Sequence, residues 1–251
     1  MDEQEKLPLT AHLEELRTRL VRCFIALGGG FVACYLVKED LFHLLARPLL
    51  SVMPKGDKLI FTGLTEPFFT YLKVAFFGGV ILALPVIMHQ VWKFVAPGLY
   101  GSERKVIIPL VLLSLVFFAM GGAFGYFVVF PFGFEFFLGF SGDTLQAMPS
   151  MREYLSMAVN LLLAFGVVFQ LPLFLTVFAR FGLVSTDFLK KNRKYAILAI
   201  FIVAAILTPP DVITQCLMAV PLMLLYELSI VGARIFGKKR APEEEPRESA
   251  A

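Results

Sequence analysis

The chain has 251 residues, of which 58% are hydrophobic and 14% aromatic, with a mean hydropathy of +0.76 and a net charge of +3. A soluble domain is closer to half apolar, and a chain of this length cannot bury so much apolar surface in one aqueous core. Those numbers exclude an ordinary water-soluble enzyme and make lipid the solvent.

Six apolar stretches read as membrane-crossing helices, at 21–37, 69–92, 106–130, 154–178, 195–207 and 212–226. A spanning helix needs about 20 apolar residues. Helices are required because lipid offers no partner to bare backbone amides, and the alternating ten-residue segments of a membrane β-barrel are absent from the sequence. Ahead of the first span, Leu9, Leu13, Leu16 and Leu20 fall on one stripe, so 9–20 is predicted to be an amphipathic helix at the interface, with Thr10 as its N-cap. The first span lacks the small-residue cleavage site of a secretory leader and is expected to be permanent. Residues 38–67, with Pro48, Pro54 and Pro67, and residues 131–153 read as ordered loops on one side of the membrane. Pro85, Pro172 and Pro221 fall inside spans two, four and six and are expected to bend them. Spans five and six are short for a ~30 Å hydrocarbon core, which suggests local thinning of the bilayer. Residues 237–251 turn polar and Glu/Pro-rich and are expected to be a disordered tail.

Lys and Arg set the orientation. Seventeen of the 23 lie in the N-terminal segment, the second and fourth connections and the tail, so both termini are expected in the cytoplasm. The positive charge is therefore a topology signal and does not point to nucleic acid. Lys73, near the start of span two, is expected to snorkel. Cys23 and Cys34 are too far apart along one helix to bridge.

The chemistry of catalysis is missing. There is no phosphate-binding G-x-x-x-x-G-K-[ST] loop, no H-E-x-x-H, and no metal-ligand spacing among His12, His43 and His89. The run Gly139-Phe140-Ser141-Gly142-Asp143 is not a nucleophile elbow, since its fifth residue is Asp. No metal, cofactor or catalytic residue is expected. A solute transporter wants charged sites at the midplane, where the chain offers mainly Gln170 and Asn160.

Polar groups beside the membrane carry the remaining signal. Glu15 projects away from the Leu stripe; it can pair with Arg19 one turn on, or it can receive a ligand. Glu103 stands after a Pro97-Gly98 turn, where it suits the first turn of span three. Trp92, Phe94 and Tyr100 suit an aromatic belt at the headgroups. Gln170 lies deep in span four beside Pro172 and can satisfy the carbonyl that the proline frees. Asp211 reads as the N-cap of span six.

Three of these runs carry a resemblance. His12-Leu13-Glu14-Glu15-Leu16-Arg17-Thr18-Arg19-Leu20 resembles the opening signature of the TatC family, the core subunit of the twin-arginine protein translocase. Phe94-Val95-Ala96-Pro97-Gly98-Leu99-Tyr100-Gly101-Ser102-Glu103-Arg104 resembles that family's first cytoplasmic loop, and Leu207-Thr208-Pro209-Pro210-Asp211 its motif between the last two spans. The resemblance implies an all-α membrane protein of six helices in a kinked, cup-shaped bundle filling residues 1–236. It implies a receptor for twin-arginine signal peptides of folded cargo proteins, in the bacterial cytoplasmic (inner) membrane and driven by the proton gradient. It further implies a multimeric complex with small single-span TatA/TatB-type subunits. By the same resemblance Glu15 and Glu103 would receive the two guanidiniums, with Arg17 and Phe94 beside them. Gln170, Gln215 and Asp211 would contact partner subunits. The family commonly has glutamate where this chain has Gln170, so a proton-binding step there is in doubt while hydrogen bonding survives.

Overall fold

The computed structural model describes residues 9–54, 58–95, 107–141, 147–207 and 212–237. They are helical almost throughout; outside helices, among the described residues, Ile60 and Ser150 form a parallel bridge. Five stretches are long and apolar enough to cross a membrane: Leu13–Leu36, Glu66–Val95, Ile107–Leu138, Met151–Arg180 and Thr214–Phe236. The chain divides into two compact units, Met1–Val168 and Phe169–Ala251.

The first unit holds α1 (Leu9–Leu36), α2 (Lys38–Val52), α3 (Glu66–Val95), α4 (Ile107–Phe124), α5 (Phe130–Leu138) and α6 (Met151–Val168). The expected interfacial helix and first span are one unbroken helix, α1, and Thr10 lies inside it instead of capping it. Phe24 and Ile25 on α1 are 66% and 70% exposed, as a lipid-facing surface requires. Against α3, α1 packs backbone to backbone. A Cβ on Gly30 would lie 2.7 Å from the Gly79 carbonyl oxygen, and one on Gly78 would lie 2.8 Å from Cys34 Sγ. Small residues at a seam are how helices approach closely in lipid.

Residues 38–52, expected as loop, form the fifteen-residue helix α2. Pro48 sits inside it and removes the N–H that Leu44 O would accept four residues back. The Tyr126 hydroxyl donates to that carbonyl at 2.7 Å, and the Tyr154 hydroxyl donates to Leu45 O at 2.7 Å. Two tyrosines from the bundle thus satisfy the backbone that the proline disturbs. The third span runs past its expected end at 130: α4 passes through a π-helical turn, Gly125–Val129, into α5. Phe130 N donates to Gly125 O across that turn, and Pro131, with no N–H to offer, follows it directly. Trp92, expected in an interfacial belt, is instead fully buried, its Nε1–H donating to Ser114 Oγ at 2.6 Å. An indole N–H in an apolar bundle needs an acceptor, and α4 supplies one. Lys73, expected to snorkel freely, donates to Ser156 Oγ on α6 at 2.7 Å.

The second unit holds α7 (Leu171–Arg180), α8 (Thr186–Lys191), α9 (Arg193–Leu207) and α10 (Val212–Phe236). The fourth span is divided where Phe169 and Gln170 break the helix. Gln170 O accepts from the Leu173 and Phe174 amides, both at 3.0 Å, and Pro172 sits in the first turn of α7, where a missing N–H costs least. The last helix is ten residues longer than expected. Glu227, the residue after the expected end, accepts from Arg193 Nη2 at 2.7 Å, and the helix continues through it. With Thr214–Phe236 available to cross the membrane, the expectation of a short sixth span fails. Among the described residues α9, with 15, remains short. Ala179, Leu189, Ile230 and Ala233 form a core among α7, α8 and α10, and Gly232 lets Thr176 of α7 against the α10 backbone.

Candidate functional site

The glycine seam fixes which ends of α1 and α3 meet. Gly30 touches Gly79, and far back along α1 Glu15 shares a cavity with Lys93, well forward along α3. The two helices are therefore antiparallel, with the head of α1 beside the tail of α3. The cavity there measures about 390 Å³ and is lined by Glu14, Glu15, Thr18, Arg19, Arg22 and Lys93. It holds two carboxylates and three cations.

Glu15, Arg19 and Arg22 share this wall because they stand four and seven residues apart on one helix. Arg19 Nη2 donates to Glu15 Oε1, with the Arg19 side chain 12% exposed and that of Glu15 34%. Such a pair is partly shielded, so it is stronger than a solvated one but still exchangeable. Arg17 is exposed and does not line the cavity; residues two apart on a helix do not face each other. Phe94 follows Lys93 at the end of α3 and is half-buried. Glu103 lies outside the described residues, eight positions beyond the last residue of α3. A chain of eight residues reaches at most about 29 Å.

The expected partner-contact residues are in the second unit. Gln170 is buried at the break before α7. Gln215 Nε2 donates to Phe201 O at 3.1 Å, linking α10 to α9. Asp211 lies outside the described residues. No cluster of His, Cys, Asp or Glu among the described residues has the makings of a metal site.

Sequence reasoning missed Lys93, which belongs to the cavity only because of how α1 and α3 pair. It also missed Glu66 at the opposite end of α3. The helix has 30 residues, about 45 Å at 1.5 Å each against a hydrocarbon core of ~30 Å, so its first turn stands ahead of the apolar run that begins at Phe69. There the buried Glu66 carboxylate accepts from Ser150 Oγ at 2.8 Å, the Arg152 amide at 2.9 Å and the Thr62 amide at 3.0 Å. The Ser150 hydroxyl first, then the Arg152 and Thr62 amides, hold its carboxyl well below the usual carboxylate range, at about 2. Two connections, 58–65 and 147–150, are clasped by one acid.

The family profile described as Sec-independent protein translocase protein (TatC) matches residues 11–221. A protein of Desulforapulum autotrophicum named Sec-independent protein translocase protein TatC is 63% identical over 243 residues, covering 97% of this chain and 90% of that one. An Escherichia coli K12 protein of the same name is 39% identical over 245 residues, covering 97% and 95%. A crystal structure of a twin-arginine translocase receptor TatC superposes with a TM-score of 0.81 at 40% identity, covering 90% of this chain and 99% of that one.

Proposed function

The chain belongs to the TatC family of Sec-independent protein translocases, and from that premise we propose that Glu15 and Glu103 are the acids with which it receives a twin-arginine signal peptide. It is a multi-pass membrane protein and a translocase component, not an enzyme. In the proposed reading it sits in the bacterial cytoplasmic membrane with both termini inside, as seventeen of its 23 Lys and Arg favour.

The observation that carries this reading is the cavity where Glu15 meets Lys93 at the head of α1. A carboxylate in that position, partly screened from water, matches the planar fork of an arginine in a way no lysine can. The chain leaves α3 immediately beside it, on the way to Glu103. Phe94 offers a ring against which a guanidinium packs, and Arg17, outside the cavity, acts on the peptide's approach. Two acids grip the paired arginines, while the apolar stretch of the signal supplies further affinity along the bundle. Gln170, Gln215 and Asp211 serve TatA/TatB-type single-span subunits in a multimeric complex, Gln170 by hydrogen bonding where a carboxylate is usual. No nucleotide-binding motif occurs in the chain, so the proton gradient provides the energy.

The test is signal-peptide affinity for the chain in detergent or nanodiscs. Glu15→Ala and Glu103→Ala should each lose a charged hydrogen bond of ~1.5–3 kcal/mol, roughly 10- to 150-fold in affinity. A signal with two lysines should bind the unaltered chain as weakly as the normal signal binds the double variant. Undiminished binding by Glu15→Ala would refute the assignment.

A further inference from the structure

A second cavity lies in the first unit, away from Glu15. It measures about 460 Å³, and its wall is almost wholly hydrocarbon: Leu44 of α2, Phe77 and Pro85 of α3, Gly122 of α4, and Tyr126 and Phe127 of the π-helical turn. Three breaks in regular geometry open it. Pro85 removes a backbone hydrogen bond from α3, the π-helical turn displaces Tyr126 and Phe127 from the helical track, and Gly122 leaves the wall bare, since a Cβ there would meet nothing within 4 Å. Its rim is held by the Tyr126 hydroxyl on Leu44 O at 2.7 Å. The rim also carries a charge. Arg47, exposed on α2, stands three residues on from Leu44, on the same side of that helix as the slot's rim.

A slot of this lining in a membrane protein opens onto lipid, because Phe127 and Leu44 are 71% and 53% exposed. One end is a cation on the helix that joins two spans; the rest is apolar, reaching Pro85 about two-thirds of the way along α3. That order, a charge at one end and hydrocarbon beyond, is the order of an anionic phospholipid. We propose that this slot holds the acyl chain of one such lipid, its phosphate on Arg47. The cation sets the headgroup preference, while the walls of α3 and the π-helical turn grip the tail. A signal peptide's apolar segment has no anion to offer Arg47, so charge complementarity favours lipid.

The experiment is native mass spectrometry of the chain released from nanodiscs of equal phosphatidylglycerol and phosphatidylcholine, using three forms. The unaltered chain should keep a phosphatidylglycerol adduct in preference to phosphatidylcholine. Gly122→Leu, which fills the slot from an open position, should reduce both adducts roughly tenfold by taking the apolar volume the tail needs. Arg47→Gln should remove the preference while leaving phosphatidylcholine retention unchanged. Equal retention of both lipids by the unaltered chain, or the same adducts on all three forms, overturns the proposal. Should Gly122→Leu fail to fold, the Arg47→Gln arm decides alone. A photoreactive residue at Leu115 that captures bound signal peptide instead of lipid also overturns it.

Discussion

At the scale of the residue, Arg19 occupies the carboxylate to which the proposed function assigns an incoming arginine. Its guanidinium is largely buried, and its hydrogen bond to Glu15 satisfies an acid that would otherwise face Arg22 and Lys93 across a small cavity. A signal arginine binding at Glu15 must displace or share that contact. The chain therefore carries its own competitor, and the competitor's strength sets a ceiling on how much can be gained by removing it. A solvated pair contributes ~0–1 kcal/mol and this one is partly shielded, so Arg19→Gln should tighten signal binding by about fivefold or somewhat more. Isothermal titration with a twin-arginine peptide would read this directly. Weaker binding would mean that Arg19 holds Glu15 in its receptive rotamer instead of competing for it. Lys93→Gln is the control: it removes a nearby cation without touching the Arg19 bond, and should tighten binding in either case.

At the scale of the element, Glu66 shows how one side chain organises two connections. Its carboxyl is held at about 2 against an ordinary 4.5, and the sign of the linkage follows. A depressed folded value adds stability that is complete above pH 4.5 and drains away as pH falls toward 2. Thermal unfolding in detergent should therefore show the unaltered chain losing melting temperature across that window. Glu66→Gln should start lower at neutral pH and stay flat through it; a parallel decline in both would remove Glu66 from the account. Nothing local announced this clasp, because Ser150 and Arg152 are more than eighty residues away. The helices were more legible than their ends. Local rules favour a loop at Pro48, and the expected sixth span stops just short of Glu227. In each case a distant group removed the penalty on which the local rule depends: Tyr126 for the Leu44 carbonyl, Arg193 for the Glu227 carboxylate. The cavity was half legible for the same reason. Glu15 and Arg19 lie at helical spacing, whereas Lys93 joins them only through the Gly30–Gly79 contact.

At the scale of the whole molecule, span lengths decide how the protein deforms its solvent. Five stretches have between 23 and 32 residues and cross a hydrocarbon core with turns to spare. The sixth apolar helix, α9, has 15 residues, about 22 Å at 1.5 Å each against ~30 Å. Arg193 at its start is bound to Glu227, and Phe201 beyond its middle is held by Gln215. Where a helix of that length meets the core, the bilayer thins or another helix covers the gap, at fractions of a kcal/mol per Å. Reconstituted alone, the chain should unfold at a higher temperature in short-chain dimyristoyl lipid than in long-chain dierucoyl lipid. Inserting one apolar turn into α9 after Ile202, about 5 Å of added length, should shift that optimum toward the longer lipid. An optimum that stays where it was after the insertion would place the sensitivity in another span, and an unaltered chain most stable in the thick bilayer would show that α9 does not govern the fit.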